Sequence, residues 1–241
     1  MLQRSFIKDV IQRCLICIAG RCFYFQNAKI YFMGNRWIIG IDEVGRGPLA
    51  GPVTVAAVAV PFIKHGTWNM EHNFFMGIRD SKKCTRISRE QWNEKICKEF
   101  PFAVASVSPH VIDKKGISFA TKLAVSRCLN KLLLKCSMFH VPCFMILLDG
   151  SLSAPLAYKN QRTIVKGDEK IPVIAAASIM AKVHRDKFMV RLHKKYPLYG
   201  FHTHKGYGTV IHRAAIQQHG LCRIHRVSFC KKVMLNSPSA Y

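Results

Sequence analysis

The stretch Ile39-Gly-Ile-Asp-Glu-Val-Gly-Arg-Gly-Pro-Leu-Ala-Gly-Pro-Val53 decides how this chain folds. Asp42 and Glu43 close an apolar run that predicts a buried strand over residues 37–41, and a run rich in Val and Ala predicts a second strand over residues 53–60. The glycines and prolines between the strands predict a tight connection whose backbone can approach a ligand closely. Two carboxylates beside such a backbone and an arginine suit a divalent cation together with a phosphodiester.

The charge balance indicates a polyanionic partner. The net charge is +24, from 37 Lys and Arg against 13 Asp and Glu, and nucleic acid most often matches such an excess. No acid follows Asp186, so we expect the C-terminal quarter to contact phosphates. Charge alone leaves open a ribosome-associated or simply basic protein. No apolar run approaches the ~20 residues of a membrane span, so no membrane partner is expected.

The ten cysteines form no compact, regularly spaced framework. We therefore expect reduced thiols in a cytoplasmic protein. Cys14-x-x-Cys17, with Cys22, is a weak match to a zinc site. No histidine lies nearby and no second such pair follows, whereas structural zinc normally takes four ligands.

Residues 1–36 carry six Lys and Arg and a single acid, Asp9. We interpret them as a basic N-terminal extension without a catalytic role. A targeting segment is an alternative, although Ser is not enriched as it is in transit peptides. A start at Met33 is a third interpretation, because the sequence that follows it is typical of a natural beginning.

The segment from Asp42 to Val53 closely resembles the signature of ribonuclease HII, a family that cuts the RNA part of RNA–DNA hybrids and incises at single ribonucleotides in DNA. Further segments resemble motifs of that family in the same order, and the resemblance covers about residues 37–229. These segments are Asp80-Ser-Lys82, the apolar strand that ends at Asp149, residues 178–186, Gly206-Tyr-Gly208 and His225-Arg-x-Ser-Phe229.

Each of these residues also has a purely structural interpretation. Asp149 alone would belong to an Asp-Gly turn, and Asp186 would neighbour Arg185 on a solvated helix face. Lys82 could be a solvated lysine after a helix N-cap. Tyr207 could simply fix a loop to the fold.

The resemblance implies an α/β architecture: a ribonuclease H-like fold with a mixed five-stranded sheet flanked by helices, and a small C-terminal helical segment. Residues 37–208 would form the catalytic domain, and residues 209–241 the C-terminal helical segment and tail. Residue patterns predict strands over 102–107, 143–149 and 162–166, and helices over 88–100, 113–135, from Pro172 onward and from Thr209 to 218.

The resemblance also implies a set of site residues. Four carboxylates, which are Asp42, Glu43, Asp149 and Asp186, would hold two Mg²⁺ or Mn²⁺ ions, the hard cations that suit oxygen ligands. Substrate contacts would come from Gly45, Arg46, Gly47, Lys82, Lys205 and Tyr207. The acids of Gly167-Asp168-Glu169 are interpreted as a solvated turn outside the metal site. Because neighbouring strand residues point to opposite faces, Asp42 and Glu43 share a site only if the strand ends or bulges there.

The implied function is that of a metal-dependent endoribonuclease, and the order of the motifs along an acid-poor chain favours it.

 The enzyme would hydrolyse the RNA strand of hybrids and incise 5′ to single ribonucleotides in duplex DNA, leaving 3′-hydroxyl and 5′-phosphate ends. It would act as a monomer in ribonucleotide excision repair and DNA replication. A non-catalytic RNA- or hybrid-binding protein is the alternative. A phosphate-loop enzyme is disfavoured, because the Lys-Ser/Thr of that motif is missing after the glycines.

Overall fold

The structure is a computed structural model, and it describes residues 14–18, 21–26, 29–33, 36–62, 74–75, 77–78, 84–135 and 144–235. Three N-terminal strands form a separate antiparallel sheet in the order β1-β2-β3. They are β1 (Cys14–Ile18), β2 (Arg21–Gln26) and β3 (Lys29–Met33). The sequence pattern of this extension predicted no strands, so the sheet is a finding of the structure.

The central sheet has five strands, which confirms the predicted mixed α/β architecture. They are β4 (Arg36–Val44), β5 (Val53–Phe62), β6 (Phe102–Val107), β7 (Phe144–Asp149) and β8 (Gln161–Ile164). Their order across the sheet is β6-β5-β4-β7-β8. The pairs β4–β5 and β5–β6 are antiparallel, whereas β4–β7 and β7–β8 are parallel.

Helices cover both faces of this sheet. They are α1 (Arg86–Glu99), α2 (Pro109–Lys115), α3 (Ile117–Lys135), α4 (Gly167–Lys170), α5 (Pro172–Lys195), α6 (Phe201–His204), α7 (Val210–His219) and α8 (Val227–Leu235), with a 3₁₀ turn at Pro197–Tyr199. The last three of them, α6 to α8, form what is here called the C-terminal lobe. Among the described residues, no helix is both long and apolar enough to cross a bilayer.

The alternation of β4 divides the core between two helices. Ile39 and Ile41 face the cluster that α3 completes, whereas Ile38 packs on the side of α5. Gly40 lies on that second side, where an added Cβ would meet the carbonyl oxygen of Val173 at 2.3 Å. The first turn of α5 can therefore lie directly on the strand only because residue 40 has no side chain.

Two local predictions were wrong in detail. The helix predicted over residues 113–135 is two helices, because Gly116 has a φ of 82° and ends α2 before α3 begins. Helix α1 begins at Arg86, and its N-cap is Thr85, whose side chain accepts a hydrogen bond from the backbone N–H of Ser88. Ser88 therefore lies inside the first turn.

The C-terminal lobe shares a core with the end of the central sheet. Ala50, from the connection between β4 and β5, packs in one cluster with Met189 of α5 and Phe201, Ile216 and Cys230 of the lobe. The helices after residue 208 are thus packed against the segment that carries the signature motif.

Candidate active site

Asp42 and Asp149 lie side by side at one edge of the sheet. Strands β4 and β7 are parallel, and their register pairs Gly40 with Leu147 and Ile41 with Leu148. One residue further along each strand come the two aspartates. Neighbouring strands are about 4.8 Å apart, and paired residues point to the same face. Both carboxylates therefore lie on the α5 side of the sheet.

Asp42 is a buried carboxylate with an unusual pKa. It is only 5% exposed. The pKa of its carboxyl is raised to about 8, because burial and the charges of Glu43 and Asp149 outweigh the lowering effect of a hydrogen bond with the side chain of Ser178. The Ser178 contact shows that α5 covers this carboxylate. A cation bound here would remove the electrostatic cost of keeping Asp42 ionised.

Glu43 occupies the same end of β4 from the opposite face. The strand neither ends nor bulges at this point, because Glu43 pairs with Val55 and Val44 with Thr54 in regular register. Burial raises the pKa of Glu43, Arg46 lowers it, and Asp149 raises it. Arg46 also contacts Glu43 Oε1 at 3.4 Å. The two neighbouring acids are nevertheless close together, because a side-chain hydrogen bond joins Glu43 to Asp42, and the charge of Asp149 raises the pKa of both.

Asp149 is tied to the segment that follows β8. The backbone N–H of Gly167 donates to Asp149 Oδ1 at 2.6 Å. The next residue, Asp168, is 3% exposed, so the solvated turn predicted for Asp168 is wrong. The turn is the short helix α4, which folds back onto the sheet edge. Two features of the sequence could have indicated Asp168 as a site residue: acids are scarce in this chain, and Asp168 follows shortly after the strand β8 at the same edge of the sheet.

Asp186 lies further along α5 and contacts cations. Its Oδ1 accepts from Lys182 Nζ at 2.9 Å, and its charge raises the pKa of Lys205, which burial lowers more strongly. Ser178, which contacts Asp42, precedes Asp186 by eight residues, or about 12 Å along a helix axis. The structure thus places Asp42, Glu43 and Asp149 close enough for their charges to interact. That Asp186 joins these three carboxylates at one site stays a prediction.

The connection at residues 45–52, here called the glycine loop, is held from inside by Arg226. This fully buried guanidinium donates to the carbonyl oxygens of Gly45 at 2.6 Å, Arg46 at 2.8 Å and Gly51 at 2.9 Å. In a trans peptide the N–H lies opposite the carbonyl. The N–H groups of Arg46 and Gly47 therefore point away from Arg226, and neither donates to another described residue.

The other predicted substrate residues follow α6. Lys205 donates through Nζ to the carbonyl of His202, and Tyr207 is 41% exposed. The guanidinium of Arg185 lies 5.8 Å from the centre of the Tyr207 ring. Tyr207 is thus a partly exposed aromatic beside the glycine loop, as a sugar-contacting residue requires. Lys82 lies outside the described residues.

The donor set fits a hard divalent cation. Asp42, Glu43 and Asp149 offer only oxygen, the ligand that Mg²⁺ and Mn²⁺ prefer. Oε2 of Glu43 is buried and accepts no hydrogen bond from any described residue. Within the described part of the chain, no three His, Cys, Asp or Glu side chains already form a closed metal cage. Completing such a site requires these carboxylates to turn towards a shared ion.

The histidines near the C terminus have hydrogen-bonding roles. His212 and His225 are buried, and their Nε2 atoms are 3.0 Å apart. Burial lowers the pKa of both rings to about 4. They are therefore neutral at physiological pH and do not add to the basic surface.

Comparison with known proteins shows which family the chain belongs to. The family model described as ribonuclease HII matches residues 39–232. The ribonuclease HII of Caldicellulosiruptor bescii is 43% identical over 213 residues, which cover 88% of this chain and 95% of that protein. The ribonuclease HII of Coxiella burnetii (strain RSA 493) is 44% identical over 198 residues, covering 81% and 89%.

Solved structures give the same result. The ribonuclease H2 of Pyrococcus horikoshii OT3 is 25% identical with a TM-score of 0.61, and the match covers 82% of this chain and 96% of that one. A ribonuclease HII from Archaeoglobus fulgidus, solved in complex with PCNA, is 27% identical with a TM-score of 0.61, covering 79% and 93%. A Bst ribonuclease HIII solved with Mn²⁺ shares the fold at 16% identity and a TM-score of 0.64, covering 98% and 96%.

The fold and the carboxylate site define a metal-dependent ribonuclease, a hydrolase of the ribonuclease H class. The chain belongs to the ribonuclease HII family. It is therefore an endonuclease that depends on divalent metal ions and acts on RNA–DNA hybrids.

Proposed function

We propose that this enzyme incises 5′ to single ribonucleotides embedded in duplex DNA, in addition to hydrolysing the RNA strand of hybrids. The observation that carries the proposal is the arrangement of the glycine loop. It leaves the N–H groups of Arg46 and Gly47 without a hydrogen-bond acceptor among the described residues, directly after the strand that carries Asp42. Such N–H groups suit a 2′-hydroxyl and its phosphate, the features that separate RNA from DNA.

The carboxylates take the role of metal ligands in this proposal. Asp42, Glu43 and Asp149 would hold Mg²⁺ or Mn²⁺, two ions per site. The chemistry supplied by the bound ions is activation of a water and stabilisation of the charge on the leaving oxygen. Cleavage would leave a 3′-hydroxyl and a 5′-phosphate. Arg46 contacts Glu43 Oε1 at 3.4 Å and favours the charged form of this carboxyl, against the effect of burial, which raises its pKa.

Two residues compete for the place of the fourth ligand. The sequence predicts Asp186, whereas the structure buries Asp168 next to the Gly167–Asp149 hydrogen bond. We propose Asp168 as the fourth ligand, because this packing favours it, and keep Asp186 as the alternative. The variants Asp168→Asn and Asp186→Asn distinguish the two.

Tyr207 and Lys205 would contact the substrate beside the ribose. A ring that is 41% exposed can stack on the deoxyribose that follows the ribonucleotide. A cleft of about 260 Å³ opens beside Arg46 and is lined by Lys122, Ser118 and Ser151. Its basic and hydroxyl groups suit a phosphate of the same strand.

The experiment is a Mg²⁺-dependent digestion of four matched duplexes. They contain a uniform RNA–DNA hybrid, one ribonucleotide in DNA, DNA only and RNA only. The proposal predicts cleavage of the first two, with the nick 5′ to the lone ribonucleotide, and no cleavage of the others. The alternative of a non-catalytic binding protein predicts retention of the hybrid in a shift assay with no cleavage by the purified enzyme.

A further inference from the structure

Arg185 is a buried cation that the carboxylate chemistry does not use. Its side chain is 0% exposed and stands on α5, in the middle of a 24-residue helix. Burial lowers its pKa, against which the charges of Tyr207 and Asp186 act. Burying an arginine is unfavourable unless acceptors satisfy its donors. The positions of its three acceptors therefore show what this cation stabilises.

Those acceptors belong to two different loops. Nε donates to the carbonyl of Pro52 at 3.1 Å, one terminal nitrogen to Ala50 at 3.2 Å, and the other to Lys205 at 3.0 Å. The first two carbonyls lie in the glycine loop. The third begins the segment of residues 205–209, here called the tyrosine loop, which presents Tyr207. One planar guanidinium thus joins both loops.

The backbones of the two loops are also in direct contact. Leu49 donates its N–H to the carbonyl of Gly206 at 2.8 Å. An added Cβ on Gly206 would lie 2.4 Å from the carbonyl oxygen of Ala50, so only glycine fits there. Lys205 has a φ of 53°, a left-handed conformation that is strained for a residue other than glycine. The bond from Arg185 to its carbonyl helps to hold that conformation.

We propose that Arg185 is a positioning residue that fixes Tyr207 relative to the glycine loop, so that the enzyme reads the ribose and the following deoxyribose as one unit. The inference rests on the proposed function of incision at single ribonucleotides. Its consequence concerns substrate choice. A lone ribonucleotide needs both loops in register, whereas a uniform hybrid offers a ribose at each position and depends less on Tyr207.

Arg226 provides a matched control for Arg185. It is equally buried and also donates to three carbonyls, but all three lie in the glycine loop. Lysine keeps the charge and loses the planar fork that bridges several acceptors. Arg226→Lys should therefore lower cleavage of both substrates by similar factors, and the exposed Arg223→Lys controls for a change of arginine at the surface.

The test is kcat/KM on a duplex with one ribonucleotide and on a uniform hybrid, for each variant in Mg²⁺. Arg185→Lys should lose about tenfold more activity on the single-ribonucleotide duplex than on the hybrid. In a Tyr207→Ala background the same substitution should change that ratio no further, because the two residues act together. Equal loss on both substrates, or a further change of the ratio in the Tyr207→Ala background, would overturn the proposal.

Folding and the proposed function are checked separately. If circular dichroism shows that Arg185→Lys is unfolded, Arg185→Gln carries the same comparison, because its amide retains hydrogen-bond donors but no longer forms the planar fork that joins both loops. A wild-type enzyme that cleaves the hybrid but not the lone ribonucleotide contradicts the proposed function itself. A wild type that cleaves both, with an unchanged ratio in the folded variant, contradicts only the role of Arg185.

Discussion

The backbone N–H of Gly167 donates a 2.6 Å hydrogen bond to Oδ1 of Asp149. This bond joins the end of β7 to α4 and places the buried Asp168 next to the carboxylate edge. The edge therefore contains acids from β4, β7 and the α4 turn, whereas Asp186 stands about 12 Å further along α5 than the contact between Ser178 and Asp42.

The identity of the fourth carboxylate can be tested with two variants. We expect Asp168→Asn to lower kcat on the hybrid by about 100-fold or more, as loss of a metal ligand does. Asp186→Asn should cost less than about tenfold, because Asp186 pairs with Lys182. The measurement is single-turnover cleavage in Mg²⁺. The reverse order of effects would identify Asp186 as the ligand.

Tyr207 provides a test of substrate contact. We expect Tyr207→Ala to lower cleavage at a lone ribonucleotide by about tenfold, since base or sugar stacking contributes about 1–3 kcal/mol. Tyr207→Phe keeps the ring and should retain most of the activity. If Tyr207→Ala cleaves the lone ribonucleotide at the wild-type rate with unchanged KM, the ring has only a structural role.

The sequence predicts the strands of this protein better than the long-range hydrogen bonds between its loops and helices. Apolar runs predict β4, β5 and β7 because strands covered on both faces must be apolar throughout. The sequence did not predict that the buried side chains of Arg185 and Arg226 hold the loops together. Their acceptors are backbone carbonyls far away in the chain, as in the hydrogen bond from Arg226 to Gly45. The burial of Asp168 also depends on tertiary packing, since an acidic turn has the same local pattern in solvent.

The raised pKa of Asp42 makes the stability of the metal-free enzyme depend on pH. The folded state holds a proton on Asp42 more tightly than the unfolded state, whose carboxyl has the ordinary value of 3.8. The free energy of unfolding should therefore fall as pH rises from about 4 towards 8, by at most about 1.4 kcal/mol per pH unit. Asp42→Asn removes this dependence.

The measurement is the melting temperature in EDTA at pH 5 and pH 8. Relative to wild type, Asp42→Asn should be more stable at pH 8 than at pH 5. Addition of Mg²⁺ at pH 8 should raise the melting temperature of the wild type and have little effect on the variant. A difference between the two proteins that is the same at both pH values would contradict the raised pKa of the buried Asp42 carboxyl.

The buried histidines predict the opposite dependence in the C-terminal lobe. Burial lowers the pKa of His212 and His225 to about 4, from an ordinary value of 6.5. The unfolded state therefore binds protons first, and stability is lost as pH falls from about 6.5 towards 4. His212→Gln should lessen this loss in a thermal melt series, whereas the exposed His219→Gln should behave as wild type. Equal slopes for all three proteins would show that His212 is not buried and neutral.

The most direct test of the carboxylate site is Asp149→Asn on a duplex that contains one ribonucleotide. The change removes one charge and keeps the shape of the side chain, including the oxygen that accepts from Gly167. The variant should bind the duplex with wild-type affinity in a shift assay, and it should produce no nick in Mg²⁺ over many wild-type turnover times. Nicking by this variant at a rate near that of the wild type would contradict the site.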